Sequence, residues 1–165
     1  MPTNVFISFE RHDLERVNSI RALANNPWHN LEFHDRSELD PATDRRGTPL
    51  PYQPCDPARA RPIKNELRHL LRQATKMVVV VGEFTRQSNW VEWEIQSFHD
   101  RYNSISGDGN RRIVALYVPE ANDEDLPRII RSLSIPQIQW NMDVLAQWIN
   151  TNPSQLLQAF PLFYS

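Results

Sequence analysis

Met77-Val78-Val79-Val80-Val81-Gly82-Glu83-Phe84-Thr85-Arg86-Gln87-Ser88-Asn89-Trp90-Val91-Glu92-Trp93-Glu94-Ile95 is the stretch that decides the fold. Its first five residues are apolar without alternation, which is the pattern of a strand covered on both faces. Gly82 ends the run, a polar loop follows, and helical periodicity starts near Asn89. A buried strand leading through a short loop into a helix is half of a parallel βαβ unit.

The flanking sequence repeats the theme. Residues 4 to 9 read as a first strand, buried on both faces, and residues 13 to 25 as a helix with Asp13 at its N-cap. Leu14, Val17, Ile20 and Leu23 or Ala24 form its apolar stripe, and Asn25-Asn26-Pro27 stops it. Leu31-Glu32-Phe33 is a short second strand. From 35 to 61 the pattern dissolves into a proline-rich loop, with Pro62 expected in the first turn of the next helix. Ile63, Leu67, Leu70, Leu71 and Ala74 give that helix its stripe. After the helix at 89–102, residues 113–118 read as another buried strand, 125–133 as a short helix and 135–140 as an edge strand broken by Pro136. Residues 142–149 and 154–160 read as helical. Strands that are apolar throughout and alternate with helices predict a three-layer, flavodoxin-like α/β fold. Its mainly parallel sheet has about five strands, in a single domain over 1–165 with its core at about 4–140 and a helical extension at 141–165.

In such sheets ligands collect at the carboxyl ends of the strands. Here those ends carry Phe9-Glu10-Arg11-His12, His34-Asp35-Arg36, Gly82-Glu83-Phe84-Thr85 and Pro119-Glu120. At 100° per residue, Val91, Ile95, Phe98 and Tyr102 face the sheet, and Trp90, Glu94, Ser97 and Arg101 occupy the adjacent flank. Trp93 projects away from the core and is expected to be a contact surface. Glu94 is expected at the edge of the buried face, partly desolvated yet reachable. The residues leave two readings open for it: a carboxylate placed for chemistry, or an ordinary helix-start glutamate paired with an arginine.

Composition narrows the classes. The 165 residues are 40% hydrophobic and 23% charged with a formal charge of −2, which argues against a coat for nucleic acid or an anionic membrane. Lys64 and Lys76 are the only lysines, too few for a single-strand platform of interleaved aromatics and cations. One cysteine, Cys55, leaves no internal disulfide and suggests a reducing, cytoplasmic setting; it reads as a loop cysteine rather than a reactive thiol. No apolar run approaches the ~20 residues of a bilayer span, and none reads as a signal peptide. The four glycines form no dinucleotide or phosphate loop, and the five histidines have no metal-like spacing.

The run Gly82-Glu83-x-Thr85-x-x-Ser88-x-Trp90-Val91-x-Trp93-Glu94-Ile95, with the opening Val5-Phe6-Ile7-Ser8-Phe9 and the strand Val78-Val79-Val80-Val81, resembles TIR domains. It is most similar to the stand-alone TIR proteins of the Thoeris anti-phage defence system, over about residues 4–140. The stretch after Asp35 is longer and richer in proline than that resemblance leads one to expect. The resemblance implies an enzyme that cleaves NAD+ as substrate, with no separate cofactor, and Glu94 of Trp90-x-x-x-Glu94 as the catalytic carboxylate. It implies further that ADP-ribose is cyclised to a messenger read by a partner effector, and that copies associate through TIR–TIR contacts. Phe9, Glu10, Arg11, His12, Asp35, Arg36, Gly82, Glu83, Thr85, Ser88 and Trp90 are its candidate substrate-binding residues. Ser88 either borders the pocket or only caps the helix.

Two other classes compete. One is a non-catalytic TIR scaffold. The other is a receiver-like relay domain, which lacks the phospho-acceptor aspartate expected at the third strand end.

Overall fold

A computed structural model describes residues 3–35, 57–161 and 163. Arg36, Cys55 and most of the proline-rich loop therefore lie outside the described residues.

Five strands form one sheet in the order β2-β1-β3-β4-β5, where β1 is Thr3–Ser8, β2 Leu31–Asp35, β3 Lys76–Val81, β4 Ile113–Tyr117 and β5 Gln137–Ile138. Every pairing is parallel, so the sheet is more uniform than the mainly parallel one expected. The valine-rich β3 occupies the centre and is buried along its whole length. Ser8 is in register with Val79, and Val81 with Tyr117. All carboxyl ends consequently share one edge, where Ser8, Asp35, Val81, Tyr117 and Ile138 finish.

Alternation along the strands divides the core in two. Phe6, Met77, Val79, Val81, Ala115 and Tyr117 face one layer of helices: α2 (Pro57–Gln73), α3 (Asn89–Ser106) and α4 (Arg128–Ser132). Val5, Ile7, Val78, Val80, Val114 and Leu116 face the other: α1 (Leu14–Arg21), α5 (Met142–Asn150) and α6 (Leu156–Ala159). Phe160 is buried on that second face and Phe163 stacks on it at 4.9 Å.

Three local expectations are corrected. Helix α1 is shorter than 13–25, its last turn tightening to 3-10 geometry at Ala22–Asn25. Leu14 is exposed rather than part of the stripe, which keeps Val17 and Ile20 fully buried and Leu23 partly buried against the same core. Helix α2 begins at Pro57, so Pro62 sits inside it. Pro57 takes the helix-opening place, and the exposed Pro62 lacks the N–H that would reach the carbonyl of Ala58.

Helix α5 is tied to the sheet by a buried lysine. Lys76 is 1% exposed and its ammonium donates to the carbonyls of Trp148, Ile149 (2.9 Å) and Thr151, with Nζ 4.7 Å from the Trp148 ring centroid. The cation thus sits at the helix carboxyl end, where unsatisfied carbonyls and the helix dipole favour it. Among the described residues no helix is long and apolar enough to cross a membrane.

Candidate functional site

Helix α3 carries the central carboxylate. Its N-cap is Ser88, whose side chain accepts from the N–H of Val91 at 3.3 Å, so the capping reading of Ser88 holds. Val91, Ile95, Phe98 and Tyr102 are buried against the sheet as the projection requires. Glu94 departs from expectation. It is 0% exposed, not half-open at an edge, and its Oε1 accepts a hydrogen bond from Ser8 Oγ at 2.9 Å. The projection considers only one neighbour, the sheet; α3 also touches α2 and α4, which widens its covered face.

Trp90 is buried one turn before Glu94 and meets Trp93 edge-on, with centroids 5.9 Å apart at 81°. Trp93 is therefore not a free outer surface. It is half-buried against the core, with Lys64 and Arg68 of α2 over its ring at 5.6 and 5.4 Å. The physical reason is the lateral packing of α2 on α3, which places two basic stems and heads on the indole.

The loops after β1 and β3 meet beside this pair. Glu10 caps a 3-10 turn at Arg11–Asp13, accepting from the His12 N–H at 2.8 Å and contacting the His12 ring. The His12 ring lies 4.4 Å from Phe84. Asp13 occupies the predicted N-cap position of α1, but its side chain makes no cap bond. It turns instead toward the loop after β3, where Thr85 Oγ1 lies 3.5 Å from its Oδ2. Thr85 is fully buried, accepts from the Gly82 N–H at 2.8 Å and lies 3.1 Å from the Val80 carbonyl. A methyl on Gly82 would stand 2.2 Å from Asp13 Oδ1. The close approach that Gly82 permits is thus that of Asp13. Burial pushes the Asp13 carboxyl up to about 6, assisted by the charges of Glu10 and Glu120 and opposed by Thr85 and His12.

The remaining candidates are dispersed. Phe9 is buried within the α1/α5 face of the core, across the sheet from Glu94. Asp35 is 1% exposed and pairs with Arg21 of α1, which makes it a structural ion pair rather than a free rim group. Arg11 and Glu83 are exposed, and Arg36 lies outside the described residues. A cleft of about 370 Å³ opens between Arg86, Ser88, Glu92, Pro127, Arg128 and Ile129; Glu94 is not one of its walls.

Sequence reasoning missed the roles of Ser8 and Asp13. Ser8 had a legible signal: it is the one polar residue in the four buried positions that end β1, and a buried hydroxyl requires a partner. Asp13 had none, because the capping pattern accounts for an aspartate there equally well.

A five-stranded all-parallel sheet flanked by helices is an α/β fold of the TIR-like kind. The family model described as Thoeris protein ThsB, TIR-like domain, matches residues 6–123, and the chain belongs to that family. No curated protein matches the chain.

Proposed function

We propose that this protein consumes NAD+, cleaving the bond between nicotinamide and ribose with Glu94 as the catalytic carboxylate, and cyclises the ADP-ribose into a messenger for anti-phage defence. The observation that carries the reading is the Trp90-x-x-x-Glu94 carboxylate held beside the carboxyl end of β1 by Ser8. Membership of the Thoeris TIR-like family supports it.

The chemistry suits one carboxylate. The scissile electron pair leaves with the nicotinamide nitrogen, which passes from cationic to neutral and needs no general acid. Positive charge develops at the ribose carbon, as in glycoside hydrolysis, and a nearby carboxylate stabilises it. An internal nucleophile of the ADP-ribose then forms the new bond and releases its proton. The carboxylate must be uncovered for NAD+ to meet it, so turnover depends on opening, driven by substrate or by association of copies. The product is read by a separate effector, and the protein works in the cytoplasm.

A second reading, a scaffold that only mediates association, is favoured by the complete burial of Glu94. One experiment separates them. The purified protein and Glu94→Gln are incubated with NAD+, with and without lysate from phage-infected cells, and products are resolved by chromatography and mass spectrometry. Nicotinamide release with a cyclic ADP-ribose isomer, lost in the variant, is the expected result. Linear ADP-ribose alone would replace the signalling part with simple NAD+ depletion. Folded protein without turnover in every condition would leave the scaffold reading.

A further inference from the structure

We propose that Ser8 is a positioning residue for Glu94, an inference that rests on the catalytic reading above. Its hydroxyl donates to Glu94 Oε1 at 2.9 Å, and both side chains are 0% exposed. The two lie 86 residues apart in sequence and belong to different elements, the end of β1 and the second turn of α3. Ser8 follows Val5-Phe6-Ile7 in a strand whose other buried side chains are apolar. An aliphatic residue would fill that position without the desolvation cost of a hydroxyl. The hydroxyl therefore has one visible task, to hold a buried carboxylate.

The bond constrains the carboxylate in two ways. It fixes the rotation of the group by engaging Oε1. It also favours the ionised form, since the hydroxyl donates to charge. Ser8 touches neither substrate nor reacting atoms in this scheme; it acts through Glu94. The hydroxyl stands at the last residue of β1, so the rigid sheet sets the orientation and the helix supplies the charge. Because the hydroxyl acts on the carboxylate and not on the sugar, its loss should appear in the chemical step rather than in substrate affinity.

The test is steady-state NAD+ turnover by wild type, Ser8→Ala and Ser8→Thr, with melting curves to verify folding. Removing the oxygen is expected to lower kcat about ten- to a hundredfold, the range of one hydrogen bond to a charged group, with KM within about twofold. Ser8→Thr keeps the donor and should recover most of kcat; should its added methyl prevent folding, the alanine variant decides alone. Unchanged kcat in folded Ser8→Ala, or a rise in KM alone, would overturn the proposal. Absence of turnover in wild type would defeat the catalytic reading separately.

Discussion

Gly82→Ala tests the joint between the loops after β1 and β3. The backbone of Gly82 is not in the left-handed region; among the described residues the one glycine with positive φ is Gly107. The position therefore needs glycine for space alone. A Cβ there would stand 2.2 Å from Oδ1, 2.4 Å from Oδ2 and 2.6 Å from Cγ of Asp13. Ordinary contact begins near 3.4 Å, so the carboxyl group must retreat by about 1.2 Å (3.4 minus 2.2). That retreat takes it from Thr85 Oγ1, already at 3.5 Å. Overpacking of this kind costs about 1–3 kcal/mol. The three nearest atoms all belong to the Asp13 carboxyl group, and this makes the reasoning refutable. In an Asp13→Ala background those three atoms are gone, and Gly→Ala should then be neutral or stabilising by up to about 1 kcal/mol through the unfolded chain. The expected coupling is roughly 2 kcal/mol. Urea unfolding of wild type, both single variants and the double variant measures it, with equal m-values as the check on comparability. Additivity to within about 0.5 kcal/mol would show that Asp13 is not what confines Gly82.

Three further outcomes are expected. Burial, and behind it the charge of Arg112, bring Lys76 from its ordinary 10.5 down to about 7. Between those values the unfolded chain binds more protons than the native one, so stability relative to Lys76→Met should climb from pH 7 to 9, by at most about 1.4 kcal/mol per pH unit. A flat difference in melts across that range would mean that the three carbonyls keep the ammonium protonated. Thr85→Val leaves the buried Gly82 N–H without its acceptor and should cost about 1–3 kcal/mol in urea melts, whereas Thr85→Ser should cost under about 1 kcal/mol. Trp93→Ala removes the edge contact with Trp90 and the support of Lys64 and Arg68, so a loss of about 2 kcal/mol and an altered near-ultraviolet dichroism are expected; unchanged stability would return Trp93 to the outer surface.

The sheet was legible because its signals are redundant. Met77 to Val81 and Ile113 to Tyr117 are too apolar and too short to be anything but covered strands, and parallel order follows from the helices between them. The site was legible in part. Periodicity found the face of α3 and put Glu94 next to it, yet missed its full burial because a helical wheel has no view of α2 and α4. Gly82 was recognised as a point of close approach, but whether a ligand or a side chain approaches depends on how two distant loops meet. Asp13 fits a capping pattern that the folded chain does not use. Asp35 and Phe9 stand at strand ends, where position alone cannot tell a pocket wall from an ion pair or a core residue.

The acceptors of Lys76 impose an order on folding. All of them lie between Trp148 and Thr151, whereas the lysine opens the central strand. A chain emerging from the ribosome exposes Lys76 long before those carbonyls exist. Until they arrive, the ammonium has neither these acceptors nor the Trp148 ring beside it and keeps its water, so Lys76 is enclosed only when α5 docks. Enclosure of the first residue of the central strand therefore waits for one of the last helices. A chain shortened before Trp148 would leave that ammonium hydrated and the core that Trp148 and Ile149 complete uncovered.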